Sequence, residues 1–100
     1  MSRMFTVQPE AADEANQAFN WYENQQPGLG DEFYRELTRC FEFVLENPLL
    51  SAVAYRGLRK RKLNRFPYLV VYQMTGEEVS VVSVFHGSRN PSVWKRRAKK

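Results

Sequence analysis

The feature that most restricts this chain is a pair of apolar runs in its second half. Tyr68–Met74 and Val79–His86 are separated by a turn at Thr75–Glu78. Val, Tyr and Phe dominate both runs, and such β-branched and aromatic side chains suit a pleated surface. Gly76 supplies the turn. Both runs are apolar at nearly every position, so both faces of the hairpin they form need at least partial cover. A cationic segment, Arg59-Lys60-Arg61-Lys62 and then Arg65, leads in. A polar tail, His86-Gly87-Ser88-Arg89, leads out. The stretch reads as the central hairpin of a sheet with positive charge at its ends.

The first half provides helices. Met4–Gln8 alternates and reads as a first strand. Pro9 ends it and suits the first turn of a helix, where a missing N–H costs nothing. From Ala11 to Gln26, Ala12, Ala15, Phe19 and Tyr22 recur at steps of three and four, with Ala18 beside them. That is one helical stripe. Asp13 and Glu14 sit near its start, where the helix dipole favours them. Pro27-Gly28-Leu29-Gly30 breaks the helix, and Asp31 or Gly30 is expected to cap the next. Phe33, Leu37, Cys40, Phe41, Val44 and Leu45 form the second stripe. Asn47-Pro48 stops it, because the residue before proline is pushed out of the α region. The pair reads as an antiparallel helical hairpin with a very short connection. Cys40 lies on the apolar stripe, which makes it a buried structural thiol rather than a nucleophile.

Leu49–Gly57 reads as a loop and Leu58–Asn64 as a second strand. Alternation puts Lys60 and Lys62 on one face, and Arg59, Arg61 and Leu63 on the other. If Leu63 faces inward, one or both arginines lie toward a sheet face rather than plain solvent. Phe66-Pro67 suggests a bend before the next strand. Pro91 to Arg97 begins like a short final helix, and Ala98-Lys99-Lys100 reads as a basic tail. The order is β–α–α–β–β–β–α. It predicts one α+β domain over residues 1–100, with an antiparallel sheet packed on the helical hairpin.

Several kinds of chemistry are excluded. One Cys and one His make neither a disulfide nor a zinc site of the usual kinds. No phosphate-binding or dinucleotide glycine motif is present, and PGLG joins two helices, so it is a turn. No cofactor and no metal are expected. No apolar run approaches a membrane span, and the start, MSRMFTVQPE, lacks the apolar core of an export signal. A reducing cytoplasm is the natural setting.

Charge is divided along the chain. Residues 1–55 hold three basic and nine acidic residues, a net −6, whereas residues 56–100 hold twelve basic and two acidic, a net +10. Such asymmetry suggests that the second half meets a polyanion or an acidic protein. Arg59, Arg61, Arg65, Tyr68, His86, Arg89 and Trp94 form a cationic and aromatic group able to bind RNA, or to cleave it with His86 moving protons. The alternative is packing by Tyr68 and Trp94, with His86 hydrogen-bonded at a strand end.

Five pieces of sequence, in order, resemble the RelE/ParE toxin superfamily of bacterial type II toxin–antitoxin modules. They are Trp21-Tyr22-Glu23, Pro27-Gly28-Leu29-Gly30 with Phe33, Asn47-Pro48, Arg65-Phe66-Pro67-Tyr68 with Tyr72, and His86 with Arg89, Pro91 and Trp94. The resemblance implies a β-α-α-β-β-β core, a small ParD-like antitoxin partner in a hetero-oligomer, and toxicity in the cytoplasm when that partner is lost. The patterns around Trp21 and Arg65 look ParE-like, which implies inhibition of DNA gyrase and no catalytic residues. The alternative is a RelE-like ribonuclease that cuts mRNA on the ribosome with Arg65, His86 and Arg89. Trp94 stands where ribonuclease relatives often carry tyrosine, and an indole cannot exchange a proton as a phenol can. A third reading is a non-toxic member that only binds its partner or DNA. Antitoxin contacts are expected at Trp21, Tyr22, Arg59, Lys60, Arg61, Lys62 and Arg65. Target contacts are expected at Arg89, Trp94, Lys95, Arg96 and Arg97.

Overall fold

A computed structural model describes residues 4–98. The elements are β1 (Met4–Val7), α1 (Pro9–Gln25), α2 (Leu29–Glu46), β2 (Val53–Tyr55), β3 (Leu58–Lys62), β4 (Tyr68–Thr75), β5 (Glu78–His86) and α3 (Ser92–Lys95). The expected α+β class and element order hold, with β2 as an addition. Lys99 and Lys100 of the expected basic tail lie outside the described residues. The five strands lie in the order β1-β5-β4-β3-β2. The two apolar runs are β4 and β5, inside the sheet, and Gly76 turns between them at φ 60°.

Two expectations about the strands need correction. The sheet is mixed, because β1 joins β5 in parallel. Tight turns force β2 to β5 to alternate in direction. The long helical hairpin after β1 imposes no such rule, and parallel neighbours need a long connection of that kind. Leu49–Gly57 is not all loop, since Val53–Tyr55 pairs with β3 through a turn at Arg56 (φ 46°) and Gly57 (φ 81°). A strand of three residues with an exposed Val53 carries too little alternation to be read from sequence.

The helical hairpin closes on one carboxylate. Gly28 takes φ 90° as the cap residue of α2, in place of the Asp31 or Gly30 expected, and brings no side chain to the cap. The cap comes from α1: Glu23 accepts hydrogen bonds from the backbone N–H groups of Gly28 and Gly30, each at 2.9 Å. These are among the donors that a helix start leaves unpaired. A Cβ on Gly30 would lie 2.8 Å from the Glu23 carboxylate and from the Phe19 ring, so only glycine lets the helices approach this closely.

The core has two sides. On one, Ala11, Ala15, Ala18, Phe33, Leu37, Cys40 and Val44 pack on Leu63, Phe66, Val70, Tyr72, Val79, Val81 and Val84. The stripe of α1 therefore runs through Ala11, Ala15, Ala18 and Tyr22, rotated from the Ala12 expected. On the other side, Leu58, Val71, Val82, Phe85 and Trp94 form a smaller cluster under α3. Both faces of the hairpin are covered, as its apolar content requires. The Tyr72 hydroxyl, fully buried, donates to the carbonyl of Pro48 at 2.8 Å and ties the end of α2 to β4. Val71 pairs with Ser83 and Tyr72 with Val81, so Val82 is an extra residue, a bulge in β5.

Gly30→Ala is expected to destabilise the domain by about 1–3 kcal/mol through overpacking, and Glu23→Ala by about 1–2 kcal/mol through loss of the cap. Because both act at one junction, the double variant should cost less than the sum. Thermal unfolding followed by circular dichroism measures this. Melting of both single variants with the wild type would contradict it.

Candidate functional site

Small side chains and an unfinished strand edge create the site. Ala15 and Ala18 let α1 lie close on β5. β1 ends at Val7, and its last ladder contact is Gln8 N–H to the Val81 carbonyl at 2.8 Å. Beyond that point, among the described residues, the outer edge of β5 has no neighbouring strand. Side chains take over its hydrogen bonds. Arg97 donates to the Val82 carbonyl at 2.8 Å, and Val84 N–H donates to Glu14 at 3.1 Å. Ser83 Oγ donates to the same carboxylate at 2.9 Å, and Glu14 and Arg97 pair at 3.1 Å. Carboxylate and guanidinium are only 17% and 23% exposed. They continue β1 in side-chain form and fasten the segment after α3.

Next to this seam lies a cleft of about 190 Å³. Glu14, Gln17, Ala18 and Trp21 line it from α1, Tyr68 from the start of β4, Val84 and His86 from the end of β5, and Arg89 from the turn that follows. The Tyr68 phenol is pushed up by burial, with the Arg89 charge pulling it down and Glu14 adding to the rise. The His86 ring meets the Tyr68 ring edge-on, centroids 5.1 Å apart. Its Nδ1 accepts from Ser88 N–H at 3.1 Å, so the neutral ring carries its proton on Nε2. Arg89 has no ion pair among the described residues, while Arg39, Arg65 and Arg97 each have one.

The residues singled out in the sequence divide sharply. Of Arg65, His86 and Arg89, only the last two share the cleft. Arg65 sits in the loop before β4 at φ 71° and pairs with Glu32 of α2 at 2.6 Å. Trp21 is 57% exposed and stands on the cleft wall. Tyr22 turns inward, with ring centroids 4.9 Å from Phe66 and 5.4 Å from Phe33. Arg59 and Arg61 do face the helix side. Arg59 donates to the Ser51 carbonyl at 2.6 Å, and Arg61 lies 3.8 Å over the Phe43 ring. Lys60 and Lys62 are exposed.

Of the expected target contacts, Arg89 is in the cleft and Arg96 is exposed. Lys95 lies 5.1 Å over the Tyr55 ring. Trp94 as a target contact is corrected: it is 3% exposed and packs edge-on against Phe85, with ring centroids 6.3 Å apart. Arg97 is likewise engaged internally. Glu14 and Gln17 were not singled out as site residues, because on a helix their polarity reads as a solvated face. Burial pushes the Cys40 thiol up to about 11, against a smaller opposing pull from Arg61, so it stays protonated near neutral pH. Among the described residues no group of three or more His, Cys, Asp or Glu could hold a metal ion.

The overall fold, a five-stranded sheet with a helical hairpin on one face and a short helix on the other, is like that of solved structures of a ParDE system and of the toxin RelE. A family model described as ParE toxin of type II toxin–antitoxin system, parDE, matches residues 5–91, and the chain belongs to that family. Among solved structures, one of the chromosomal ParDE TA system from P. aeruginosa aligns with TM-score 0.76 at 13% identity, over 85% of this chain and 96% of that one. A mutant of E. coli toxin RelE in the free state aligns with TM-score 0.67 at 20% identity, over 98% and 95%. At these identities the likeness is one of fold. No curated protein matches the chain in sequence.

The seam makes a direct prediction. Glu14→Ala and Arg97→Ala should each lower stability by about 1–3 kcal/mol, because each strands a partly buried charge. The double variant should cost clearly less than the sum. Urea unfolding measures the coupling. Strict additivity would show that the pair does not close the β5 edge.

Proposed function

We propose that this chain is the toxin half of a two-component module, held inactive by a cognate antitoxin, and that it arrests growth by binding DNA gyrase rather than by cutting RNA. Its place in the ParE toxin family supports the first part. So does its fold likeness to a structure whose title names a ParDE pair. The observation that carries the second part is the separation of Arg65 from the His86–Arg89 cleft. Cleavage of a phosphodiester draws on positive groups that converge where negative charge develops. Here one guanidinium and one imidazole face a wall that contains the Glu14 carboxylate. With Trp94 buried, the indole is also absent from that wall. The surface cations Lys60, Lys62, Arg96 and Arg89 are spread over several elements, which suits a large protein target. The cytoplasm is where this reading places the toxin. Among the described residues no helix is long and apolar enough to cross a membrane.

A ribonuclease reading draws on one specific feature, the meeting of His86, Arg89 and Tyr68 in a single cleft. The two readings part on His86. Loss of a general acid or base typically costs about 10²–10⁴ in rate. Removal of the chain from Trp94 onward is unsuitable as a companion variant, because it deletes a core side chain. Lys95→Glu with Arg96→Glu changes the same segment at its surface. Growth arrest on induction should persist in His86→Gln and weaken in the Lys95/Arg96 variant, with circular dichroism showing both folded. An inert His86→Gln beside a fully toxic Lys95/Arg96 variant would make RNA cleavage the better reading.

A further inference from the structure

We infer that the open edge of β2 is a self-association surface, on which two copies of this chain pair their β2 strands antiparallel across a twofold axis. The inference is independent of how the toxin acts, and it concerns the edge of the sheet far from the α1/β5 cleft.

Exposed apolar surface is concentrated at this edge. Five large apolar side chains are exposed among the described residues, and Leu49, Leu50 and Val53 are three of them, at 68%, 69% and 54%. Successive side chains of a strand point to opposite faces. Ala52, Val53 and Ala54 are exposed in succession, so neither face is covered there. β2 ends the strand order, and its outer side has no neighbouring strand among the described residues. Such an edge offers unpaired N–H and C=O groups to another chain. The strip is not loose. The Tyr72 hydroxyl donates to the Pro48 carbonyl at 2.8 Å, and Arg59 donates to the Leu49 and Ser51 carbonyls at 3.4 and 2.6 Å. The apolar side chains therefore stand on a pinned backbone.

Charge selects the occupant. Residues 47–55, 66–76 and 79–88 are the stretches of nine or more residues without Asp, Glu, Lys or Arg. The second and third supply β4 and β5, inside the sheet. The first brings its apolar side chains to the surface instead. Sheet edges are commonly guarded by charged residues, Lys above all, and β2 has none. An acidic or basic partner finds no complement on this strip, whereas a second neutral copy meets no repulsion. Pairing centred on Ala54 sets Val53 opposite Tyr55 of the second copy. Arg56, the first charged residue after the strip, then lies about 13 Å along the strands from its symmetry mate, at roughly 3.3 Å per residue. That exceeds the screening length of about 10 Å at 0.1 M salt.

The length of β2 limits the strength. Three residues make a small interface, and interfaces burying less than about 1,200 Å² are weak and transient. The dimer is accordingly a reversible one.

The experiment is sedimentation velocity of the full-length chain over a concentration series. Monomer should give way to dimer between about 1 μM and 1 mM, the weak end of the affinity scale. Val53→Lys should weaken dimerisation at least about tenfold, because the twofold axis brings two like charges together across the paired strands. Lys95, which lies 5.1 Å over the Tyr55 ring, adds to that repulsion. Val53 is exposed, so the variant should fold as the wild type does. Directly paired residues have Cβ atoms about 4.5–5.5 Å apart. Ala54→Cys should therefore form an intermolecular disulfide on mild oxidation, whereas Glu77→Cys, in the β4–β5 turn, should not. Cys40 is buried and stays out of the reaction. A wild-type chain that remains monomeric throughout the series would overturn the inference. So would a dimer that Val53→Lys leaves unchanged and Ala54→Cys fails to cross-link, which would move the contact to another face. Neither result bears on the growth-arrest reading, which the His86 and Lys95/Arg96 variants test separately.

Discussion

The structure depends first on one carboxylate at a helix junction. Glu23, near the end of α1, accepts two of the open N–H groups at the start of α2, those of Gly28 and Gly30, and Gly30 leaves room for it. Capping groups usually come from the residue that begins the helix. Here that residue is Gly28, which supplies the left-handed turn but no side chain, so the cap comes from the preceding helix. The same contact thus ends one helix, starts the next and sets the distance between them. That distance places Tyr22 and Phe33 against Phe66 and Tyr68. The aromatic group in turn fixes the start of β4, and with it the Tyr68 side of the cleft.

A second interaction completes the site from the other side. The pair of Glu14 and Arg97 closes the edge of β5 where β1 stops, and it joins the acidic first half of the chain to the basic second half. Glu32 and Arg65 make a similar link between α2 and the loop before β4. Part of the charge asymmetry is therefore spent inside the molecule. What remains at the surface is narrower than the net +10 of the second half suggests, and Arg89 is its representative in the cleft.

Much of this was legible from residue patterns. The β4–β5 hairpin follows from its apolar runs, the helical hairpin from two stripes and PGLG, and the inward arginines of β3 from alternation with Leu63. The rest depends on contacts that periodicity does not encode. Glu23 lies five and seven residues from the N–H groups it caps, a spacing without a local signature. The parallel pairing of β1 is a tertiary choice made after a long excursion. Trp94 looks like a contact residue in a basic tail, but the second face of β5 needs a large apolar cover, and that need buries it. Arg65 looks like a partner for His86, but its left-handed backbone and its bond to Glu32 hold it outside the His86 cleft. Glu14 reads as an ordinary helix-start acid and is in fact the closure of an open strand edge.

The central claim is that this toxin acts by binding a DNA-handling target and not by cutting message. Its most direct test follows DNA and protein synthesis separately, by pulse-labelling with thymidine and with methionine in the minutes after induction. The account predicts that thymidine incorporation falls first, with induction of the SOS response, while methionine incorporation continues. An early collapse of methionine incorporation, with cleaved mRNA and continuing DNA synthesis, would contradict it.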